Sequence, residues 1–536
     1  MLKRLLLPAL SLLLTVENTN AQTPVWSTDI APILFNNCAS CHRPTGIGPF
    51  NLLTYTDAVN RASAIYSAVT TRYMPPWPPD PKFSRLAHER LLSDADIKKI
   101  QDWVSGGKPQ GDPNLAPPVP VFNPDGDLAG TPDLVTQIPT FTSTAATGDV
   151  YQCFVVPSGL LAEKFISAFE AIPGNREIVH HVLVYADTTG TCAALDSATP
   201  GPGYVSFGGV GSNDAILLGG WVPGTQPMQM PDSFGIRVAP NADIVIQIHY
   251  PAGSSGKVDS TKIKFYFSPL PANTIRPVRI DAVLNHQGAA TCTLIPNDGL
   301  IIPANQTKPY LEMSNISSFV GDITLLGVAP HMHLIGRSIN AYGVHNGDTL
   351  KFIDIPSWDF SWQGFYLFRK MMKIPTGTTL YSQAFYDNTS NNPVNPSNPP
   401  QTVTAGEATT DEMMLTFFIW SYYQPGDENR YIDPSTPAVV NVKSPTAYAV
   451  QELFAPYPNP ANNTLYIKYY LQSPAGVTFS ITDLQGRVIK EFTNGKLISQ
   501  GYHAEPFSIA DIPAGLYLLQ MRTPEKVLTQ KLSVQH

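Results

Sequence analysis

Short apolar segments separated by glycine and proline dominate the central part of the chain. Runs such as DVYQCFVVP, EIVHHVLVYAD, DIVIQIHY and KIKFYFSPL are rich in Val, Ile, Tyr and Phe, which is typical of β-sandwich strands. The 536 residues include 51 prolines and 38 glycines, and only 14% are charged. This composition favours strands and ordered turns over long surface helices. Because the chain is too long for one hydrophobic core, we predict a multidomain, mainly β protein.

Five of the 11 histidines occur in three of these apolar segments. Imidazole is the commonest protein ligand for copper, iron and zinc, so this clustering indicates metal binding. One adjacent pair, or one pair spaced by a single residue, is a weak signal in a chain of this length. The five histidines are His180, His181, His249, His331 and His333.

The spacing within each cluster decides how a strand can present it. Side chains at i and i+2 share one strand face, so His331 and His333 can converge on one ion. His180 and His181 can share an ion only if the backbone twists or bulges; otherwise one binds and the other packs. His249, near the end of its strand, can complete a three-imidazole site. For the HxH pair we expect a soft ligand from Met413, at the start of a later apolar strand.

The first 21 residues have the pattern of a cleavable signal peptide. A basic pair, Lys3-Arg4, precedes an apolar stretch and small residues near the cleavage point. The stretch is too short for a membrane anchor, and no later segment is apolar for long enough to span a bilayer. A formal net charge of -8 without a run of Lys or Arg argues against nucleic acid or an anionic membrane as the main partner. We expect export through the periplasm to the cell surface or beyond.

A Cys38-x-x-Cys41-His42 motif lies between two predicted helices near the start of the mature chain. This is the pattern of covalent c-type haem attachment, with two thiols for thioether bonds and a histidine for one axial position. A redox-active dithiol also uses CxxC, but it follows a strand and does not need the histidine. Met74 is the expected second axial ligand, with core packing as its alternative role and His88 as the competing ligand.

This N-terminal segment resembles the small cytochrome c domains fused to secreted bacterial oxidoreductases, and we expect it to be all-helical. Ser93-x-x-Asp96 before IKKIQDWV predicts a capped helix of about three turns. A Pro-rich segment that follows reads as a semi-rigid linker.

The predicted boundaries are a signal peptide at 1–21, the haem domain at 24–112, a linker at 113–140, two β-sandwich halves at 141–295 and 296–435, a second linker at 436–450 and a C-terminal domain at 451–536.

The order of the histidine motifs resembles the copper type II, ascorbate-dependent monooxygenases, the family of peptidylglycine hydroxylase and dopamine β-hydroxylase. HH, then HY at a strand end, then HxH followed by a turn and Arg, then DEM occur in that order between about 141 and 434. The resemblance implies two jelly-roll-like halves and two copper ions separated by solvent. The electron-accepting set would be His180, His181 and His249. The catalytic set would be His331, His333 and Met413.

The same resemblance implies a disulfide between Cys153 and Cys192, which leaves Cys292 unpaired or buried. It also implies hydroxylation of a substrate C–H bond with O2. Peptide-hydroxylating members carry an Arg, an Asn and a Tyr that hold the substrate carboxylate. Here the corresponding positions are Ala329, Leu415 and Phe417, and an apolar trio cannot pair with a carboxylate. A peptidylglycine substrate is therefore not expected.

The chain after Phe454 predicts a small all-β, immunoglobulin-like unit. PNPANN, the DLQGR turn, PAGLY and a terminal KLSV occur there in order, and the segment resembles the C-terminal sorting domains of type IX secretion. An immunoglobulin-like adhesion module is the alternative, and neither is catalytic.

The sequence thus indicates an exported copper- and haem-containing monooxygenase, with an ascorbate-like reductant or its own haem as electron donor. The alternative is a non-catalytic copper-binding or electron-transfer protein of the cell surface.

Overall fold

A computed structural model of the chain describes residues 23–44, 46–123, 125–206, 209–286, 299–316, 320–406, 408–435, 451–453, 456, 459–471, 474–498 and 501–535. The fold is mainly β, with several sheets. The predicted signal peptide, the predicted linker at 436–450 and Cys292 lie outside the described residues, as does the predicted boundary between the two halves at 295/296. No helix among the described residues is long and apolar enough to cross a bilayer.

The chain divides into two compact units, and the first contains residues 1–44, 48–74 and 92–120. Its described part is helical and packs around Trp26, Leu34 and Trp103. The predicted cap is confirmed: the side chain of Ser93 accepts the backbone N–H of Asp96 at 3.0 Å. The second of the two helices predicted around the Cys38-x-x-Cys41-His42 motif is instead two helices that meet at Arg61. The helices are α1 Ala31–Asn37, α2 Tyr55–Asn60, α3 Ala62–Thr70 and α4 Asp94–Ser105.

Residues 75–91 belong to the second unit, although they interrupt the helical segment in sequence. Leu86 is fully buried in a core otherwise built from later strands. The backbone N–H of Ala87 donates to the carbonyl of Leu367 at 2.7 Å. Arg90 donates to the carbonyl of Gly224 at 2.5 Å. This segment is therefore a built-in part of the β-rich unit, and the predicted haem domain is not contiguous in sequence.

Two layers form the first half of the β-rich unit. A five-stranded sheet, β6-β3-β10-β5-β7, faces part of a nine-stranded sheet, β1-β12-β4-β9-β13-β22-β16-β19, in which β8 also pairs with β4. The last three strands of this order, β22 Leu415–Tyr422, β16 Ile323–His331 and β19 Tyr366–Ile374, belong to the second half. Phe154, Phe169 and Ile246 are among the buried residues between them. The strands are β1 Leu134–Gln137, β2 Phe141–Thr142, β3 Val150–Pro157, β4 Lys164–Ile172, β5 His181–Asp187, β6 Tyr204–Val205, β7 Ile216–Trp221, β8 Met228–Gln229, β9 Phe234–Val238, β10 Asp243–Tyr250, β11 Val258–Asp259, β12 Lys262–Phe267 and β13 Arg276–Asn285, with helix α5 at Thr191–Ala198.

The second half packs a four-stranded sheet, β15-β20-β17-β18, against the other part of the nine-stranded sheet. Strand β13 pairs with β9 of the first half and with β22 of the second, so one continuous sheet joins the halves. The strands are β14 Ile301–Ile302, β15 Gln306–Asn315, β16 Ile323–His331, β17 Gly336–His345, β18 Asp348–Ile355, β19 Tyr366–Ile374, β20 Thr379–Asn388, β21 Val403–Thr404 and β22 Leu415–Tyr422.

The last part of the predicted linker at 113–140 is structured rather than extended. Strand β1 pairs along β12, and the β1 residue Thr136 is buried. Upstream, the backbone N–H of Asp127 donates to the Glu170 carboxylate at 2.5 Å. The sequence did not predict this short edge strand, because the segment is rich in Pro and Gly and because alternation over only four residues is a weak signal.

The C-terminal region forms two small sheets, β23-β24-β27 and β26-β25-β28-β29. Leu465, Phe479 and Leu519 lie in its separate buried core. Such two-sheet packing matches the predicted small β-sandwich. The strands are β23 Glu452–Leu453, β24 Thr464–Leu471, β25 Ala475–Thr482, β26 Val488–Ile498, β27 Gly501–Ser508, β28 Gly515–Arg522 and β29 Val527–Val534.

Candidate metal centre

The first histidine cluster lies at one end of the five-stranded sheet. His181 is the first residue of β5 and pairs in register with His249 of β10. His180 precedes the strand, and its backbone N–H donates to the carbonyl of His249 at 3.0 Å. Because His180 is outside the strand, the alternation of side chains does not send it to the opposite face. The strand end itself brings the adjacent pair together.

The three imidazoles are spaced for one metal ion. Their ligand nitrogens all lie within 4.8 Å of one another, and the Nδ1 atoms of His180 and His181 are 3.3 Å apart. Two nitrogens bound at about 2.0 Å with a tetrahedral angle are separated by about 3.3 Å. Both ring nitrogens of His249 are buried without a hydrogen-bond partner. A metal ion would satisfy such an orphaned imidazole, so these residues fit a copper site.

The surroundings keep His180 and His181 neutral. Burial, and then the neighbouring His249, lowers the pKa of His180 to about 3. The same causes place the pKa of His181 well below its ordinary value. Tyr151 stacks on His249 with ring centroids 4.3 Å apart and planes at 8°. Neutral imidazole is the form that binds metals, so at neutral pH protons do not compete for His180 or His181.

Asp149 is the carboxylate beside this cluster. Its Oδ2 lies 3.3 Å from Nε2 of His249, and it accepts a hydrogen bond from Thr409 at 2.5 Å. Burial alone would raise its pKa, but the neighbouring His249 imidazole and the hydrogen bond from Thr409 outweigh burial and lower the pKa. Thr409 belongs to the second half and lies four residues before Met413. Asp149 therefore links the first cluster to the segment that carries Met413.

The second cluster lies where β16 ends. His331 is the last residue of β16, and the His331 and His333 rings have centroids 5.1 Å apart. Nδ1 of His331 donates to Oε1 of Gln363 at 2.5 Å, and Nδ1 of His333 donates to the carbonyl of Asp411 at 3.2 Å. In both rings Nδ1 is thus engaged and Nε2 is left available, the arrangement that outer partners impose on metal-binding histidines. Burial lowers their pKa values, to about 4 for His331 and about 3 for His333.

Glu412 holds this cluster together, a role that the sequence did not reveal. Its carboxylate accepts the backbone N–H groups of His333 and Ile335, both at 2.8 Å, and that of Met413 at 3.2 Å. Glu412 has no exposed surface. Burial raises its pKa to about 8, against the opposing effect of the backbone donors. One buried carboxyl group thus fixes the turn after β16 and the segment that carries the candidate thioether ligand.

Both clusters face one cavity of about 290 Å³. His181 lines it from the first half, and His331, His333 and Met413 line it from the second. Among the described residues that form its wall, none is Asp, Glu, Lys or Arg. Ala329, Leu415 and Phe417, the apolar trio identified from the sequence, are part of this wall, together with Leu183, Tyr185, Leu217, Trp221, Val222 and Phe365. The cavity therefore provides an uncharged, largely apolar surface beside candidate metal ligands.

The haem motif lies in the helical unit, immediately after α1. Cys38 and Cys41 are both free thiols, and burial, then Cys41, raises the pKa of Cys38 to about 12. Nδ1 of His42 donates to the carbonyl of Phe50 at 3.0 Å, which leaves Nε2 available. A Cβ atom at Gly48 would lie 2.7 Å from the His42 ring, so glycine is needed there. These features fit a c-type haem.

The two candidates for the second axial ligand lie in different units. Met74 ends a stretch of the helical unit, where its backbone N–H donates to the carbonyl of Ala68 at 3.2 Å. His88 belongs to the β-rich unit. Its backbone N–H donates to Asp433 at 2.9 Å, and its ring lies 3.8 Å from the same carboxylate. His88 is therefore engaged within the β-rich unit.

The disulfide between Cys153 and Cys192 stays a prediction. In the structure both cysteines are free and buried in the same small cluster. The thiol of Cys192 donates to the carbonyl of Val210 at 3.3 Å. Burial raises both pKa values, to about 12 for Cys153 and about 11 for Cys192.

Comparisons with known proteins agree with this geometry for parts of the chain. Residues 288–440 match the family model of the copper type II ascorbate-dependent monooxygenase, C-terminal domain. Residues 455–535 match the secretion system C-terminal sorting domain. These matches support a copper monooxygenase kind of function and export through the type IX secretion machinery.

Two curated relatives are similar over about half of the chain. The human "Putative DBH-like monooxygenase protein 2" is 25% identical over 283 residues, covering 50% of this chain and 53% of the human protein. The "DBH-like monooxygenase protein 2" of Mus musculus is 26% identical over 288 residues, covering 50% of this chain and 43% of the mouse protein. The chain thus spans about half the length of the curated relatives it matches.

Solved structures similar to this chain give no further information. A β-glucuronidase from Faecalibacterium prausnitzii has a TM-score of 0.13 at 11% identity, covering 48% of this chain and 46% of that chain. A β-glucuronidase from Parabacteroides merdae has a TM-score of 0.12 at 11% identity, covering 43% and 28%. TM-scores this low carry no conclusion about fold or activity.

Proposed function

We propose that the chain is an exported copper-dependent monooxygenase that hydroxylates a C–H bond of an uncharged organic substrate. The observation that carries the proposal is the cavity shared by the two histidine clusters. A three-imidazole set and a set of two imidazoles with a thioether suit copper. The reaction would be R–H + O2 + 2 e⁻ + 2 H⁺ → R–OH + H2O, with electrons from an external ascorbate-like reductant or from the haem.

The side chains divide into ligands and supports. His180, His181 and His249 would hold one copper, and His331, His333 and Met413 would hold the other. Bound copper would supply the one-electron chemistry that activates O2 beside the substrate. The protein supplies the positions of the imidazoles: Gln363 and the Asp411 carbonyl orient the rings of the second set, and Glu412 fixes its backbone.

The cavity wall determines the class of substrate in this proposal. A carboxylate or ammonium group would lose its hydration without a charged partner, because the described wall has none. Ala329, Leu415 and Phe417 provide apolar contact instead. A neutral, mainly apolar compound small enough for about 290 Å³ is therefore the proposed substrate.

The helical unit would be the electron donor. Cys38 and Cys41 would attach the haem covalently, with His42 and Met74 as axial ligands, and an axial methionine raises the haem potential towards that of a copper acceptor. The chain continues from Met74 directly into the segment 75–91 that is built into the β-rich unit. This continuity supports a donor that is tethered to its acceptor rather than exchanged with solution.

Oxygen consumption by the full-length protein with a reductant tests the proposed reaction. Three compounds of similar size separate the substrate classes: neutral 4-ethylphenol, cationic tyramine and anionic N-benzoylglycine. We expect one O2 consumed per hydroxylated product with the neutral compound, little turnover of the charged two, and none in His331→Ala. His345→Ala, a histidine of the same half on β17, is the matched control.

Two outcomes would contradict parts of the proposal. Preferential turnover of tyramine or N-benzoylglycine would contradict the uncharged substrate class. Stoichiometric copper without substrate-dependent O2 uptake for any organic compound would favour a non-catalytic copper-binding or electron-transfer protein instead. Stopped-flow mixing of the reduced protein with O2 tests the donor: haem that stays reduced while copper cycles would contradict the internal electron supply.

A further inference from the structure

One short segment of the second half contacts both histidine clusters. It runs from Trp358 to Phe365, between β18 and β19. Nε1 of Trp358 donates to the carbonyl of His333 at 3.2 Å, and Gln363 accepts Nδ1–H of His331 at 2.5 Å. Phe360, between them in sequence, lies against rings of both clusters.

Phe360 contacts one imidazole of each candidate copper site. Its ring stacks on that of His180, with centroids 5.0 Å apart and planes at 17°. It meets the ring of His333 edge to face, with centroids 5.8 Å apart and planes at 88°. The resemblance implied two sites separated by solvent, whereas here one phenyl ring contacts an imidazole of each cluster.

The contacts of Phe360 restrain the imidazoles without competing for metal. The nitrogen lone pairs lie in the plane of an imidazole, and the stacked phenyl ring covers the face of His180. Stacked and edge-to-face pairs of this kind are each worth about 1 kcal/mol. The ring can therefore fix the orientation of His180 relative to His333 and leave the ligating nitrogens available.

The segment is anchored on both sides of Phe360. Trp358 is buried, and its backbone N–H donates to the carbonyl of Arg337 at 2.8 Å. The side chain of Asp359 accepts the backbone N–H of Ser361 at 2.9 Å and fixes the turn that carries the ring. On the other side, the ring of Phe365 packs against the core of the first half. Little freedom remains for Phe360 to leave its position.

We infer that Phe360 is a positioning residue that sets the separation and relative orientation of the two metal sites. The inference rests on the proposed function for the identity of the metals. The ring joins the halves: it is carried by the second half, where it meets His333 edge to face, and it stacks on His180 of the first half. Its removal would leave each ligand set intact but free to change its distance from the other.

The test is the copper–copper distance in the full-length protein loaded with Cu(II), measured by pulsed electron paramagnetic resonance. Wild type is expected to give one narrow distance distribution. Phe360→Ala and Phe360→Leu should keep two coppers and shift the population roughly fivefold towards longer distances, as expected from the loss of the Phe360–His180 pair, which joins the two halves. Phe360→Tyr should restore the wild-type distribution. Trp362→Leu, in the same turn, is the matched control and should leave the distance unchanged.

A second readout is the rate of electron transfer between the sites in a single turnover, which should fall in Phe360→Ala and recover in Phe360→Tyr. Two coppers at the wild-type distance in both Phe360→Ala and Phe360→Leu would overturn the inference. Loss of copper or of the fold in both variants would also overturn it, because the ring would then support a site rather than space two sites. Wild type that binds no copper would instead refute the proposed function.

Discussion

The carboxylate of Glu412 accepts the backbone N–H of His333 at 2.8 Å, across 79 positions of sequence. Through the same carboxyl group the turn after β16 is tied to Met413. The two parts of the candidate catalytic site therefore share one buried anchor. Its loss would release two segments at once, since a buried N–H without an acceptor is costly.

We expect Glu412→Ala to destabilise the β-rich unit by about 3 kcal/mol, because it leaves several buried backbone donors unpaired. Copper should be lost from the second site and retained at the first. Glu412→Gln, which keeps one acceptor oxygen, should show a smaller effect. Urea unfolding and metal analysis check this, with the exposed Glu177→Gln as control. Unchanged stability in Glu412→Ala would show that the anchor is not needed.

The pKa of Asp354 gives a pH-dependent prediction. Burial, and then the neighbouring Asp80, raises this pKa to about 7. The folded state thus holds a proton that the unfolded chain releases near pH 4, so the contribution of Asp354 to stability falls as the pH rises from about 4 to about 7. Asp354→Asn should remove this fall and be more stable than wild type by about 1–3 kcal/mol at pH 8, with little difference at pH 4.

Urea midpoints measured between pH 4 and pH 8 test the Asp354 prediction. Asp348→Asn, at an exposed position on the same strand, is the control and should follow wild type. The idea fails if Asp354→Asn and wild type lose stability in parallel over this range.

The sequence predicted the two ligand groups, since HH and HxH are local patterns and alternation in strands is a local rule. The sequence also indicated that the adjacent pair cannot share an ion within a regular strand. In the structure His180 lies just before β5, outside the strand. The sequence did not predict the roles of Glu412 and Phe360, because these roles depend on contacts with segments distant in sequence. The insertion of 75–91 into the β-rich unit escaped for the same reason.

The haem prediction is that the haem is bound covalently to Cys38 and Cys41. Because both thiols of the motif should form thioether bonds, wild type is expected to keep its haem after denaturation and acid–organic extraction. Cys38→Ala and Cys41→Ala should each weaken attachment, and the double variant should release all haem. Cys192→Ala is the control, since Cys192 lies outside the motif. Full retention of haem in the double variant would contradict covalent attachment at these cysteines.

The C-terminal region should act as an export address. Its core is formed by its own residues, so deletion after residue 450 should leave the copper-binding halves folded. In a host with the type IX machinery, the truncated chain should accumulate in the periplasm, whereas full-length protein reaches the surface. Fractionation with immunodetection measures this. Normal surface delivery of the truncated chain would contradict the assignment.

Copper stoichiometry tests the central claim most directly. Full-length protein, stripped of metal and reloaded, should bind two coppers per chain by elemental analysis, because two separate ligand sets face the cavity. His249→Ala and His331→Ala should each bind one copper, and the double variant should bind none. Stoichiometric zinc with no uptake of copper, or an unchanged two coppers in both single variants, would contradict the account.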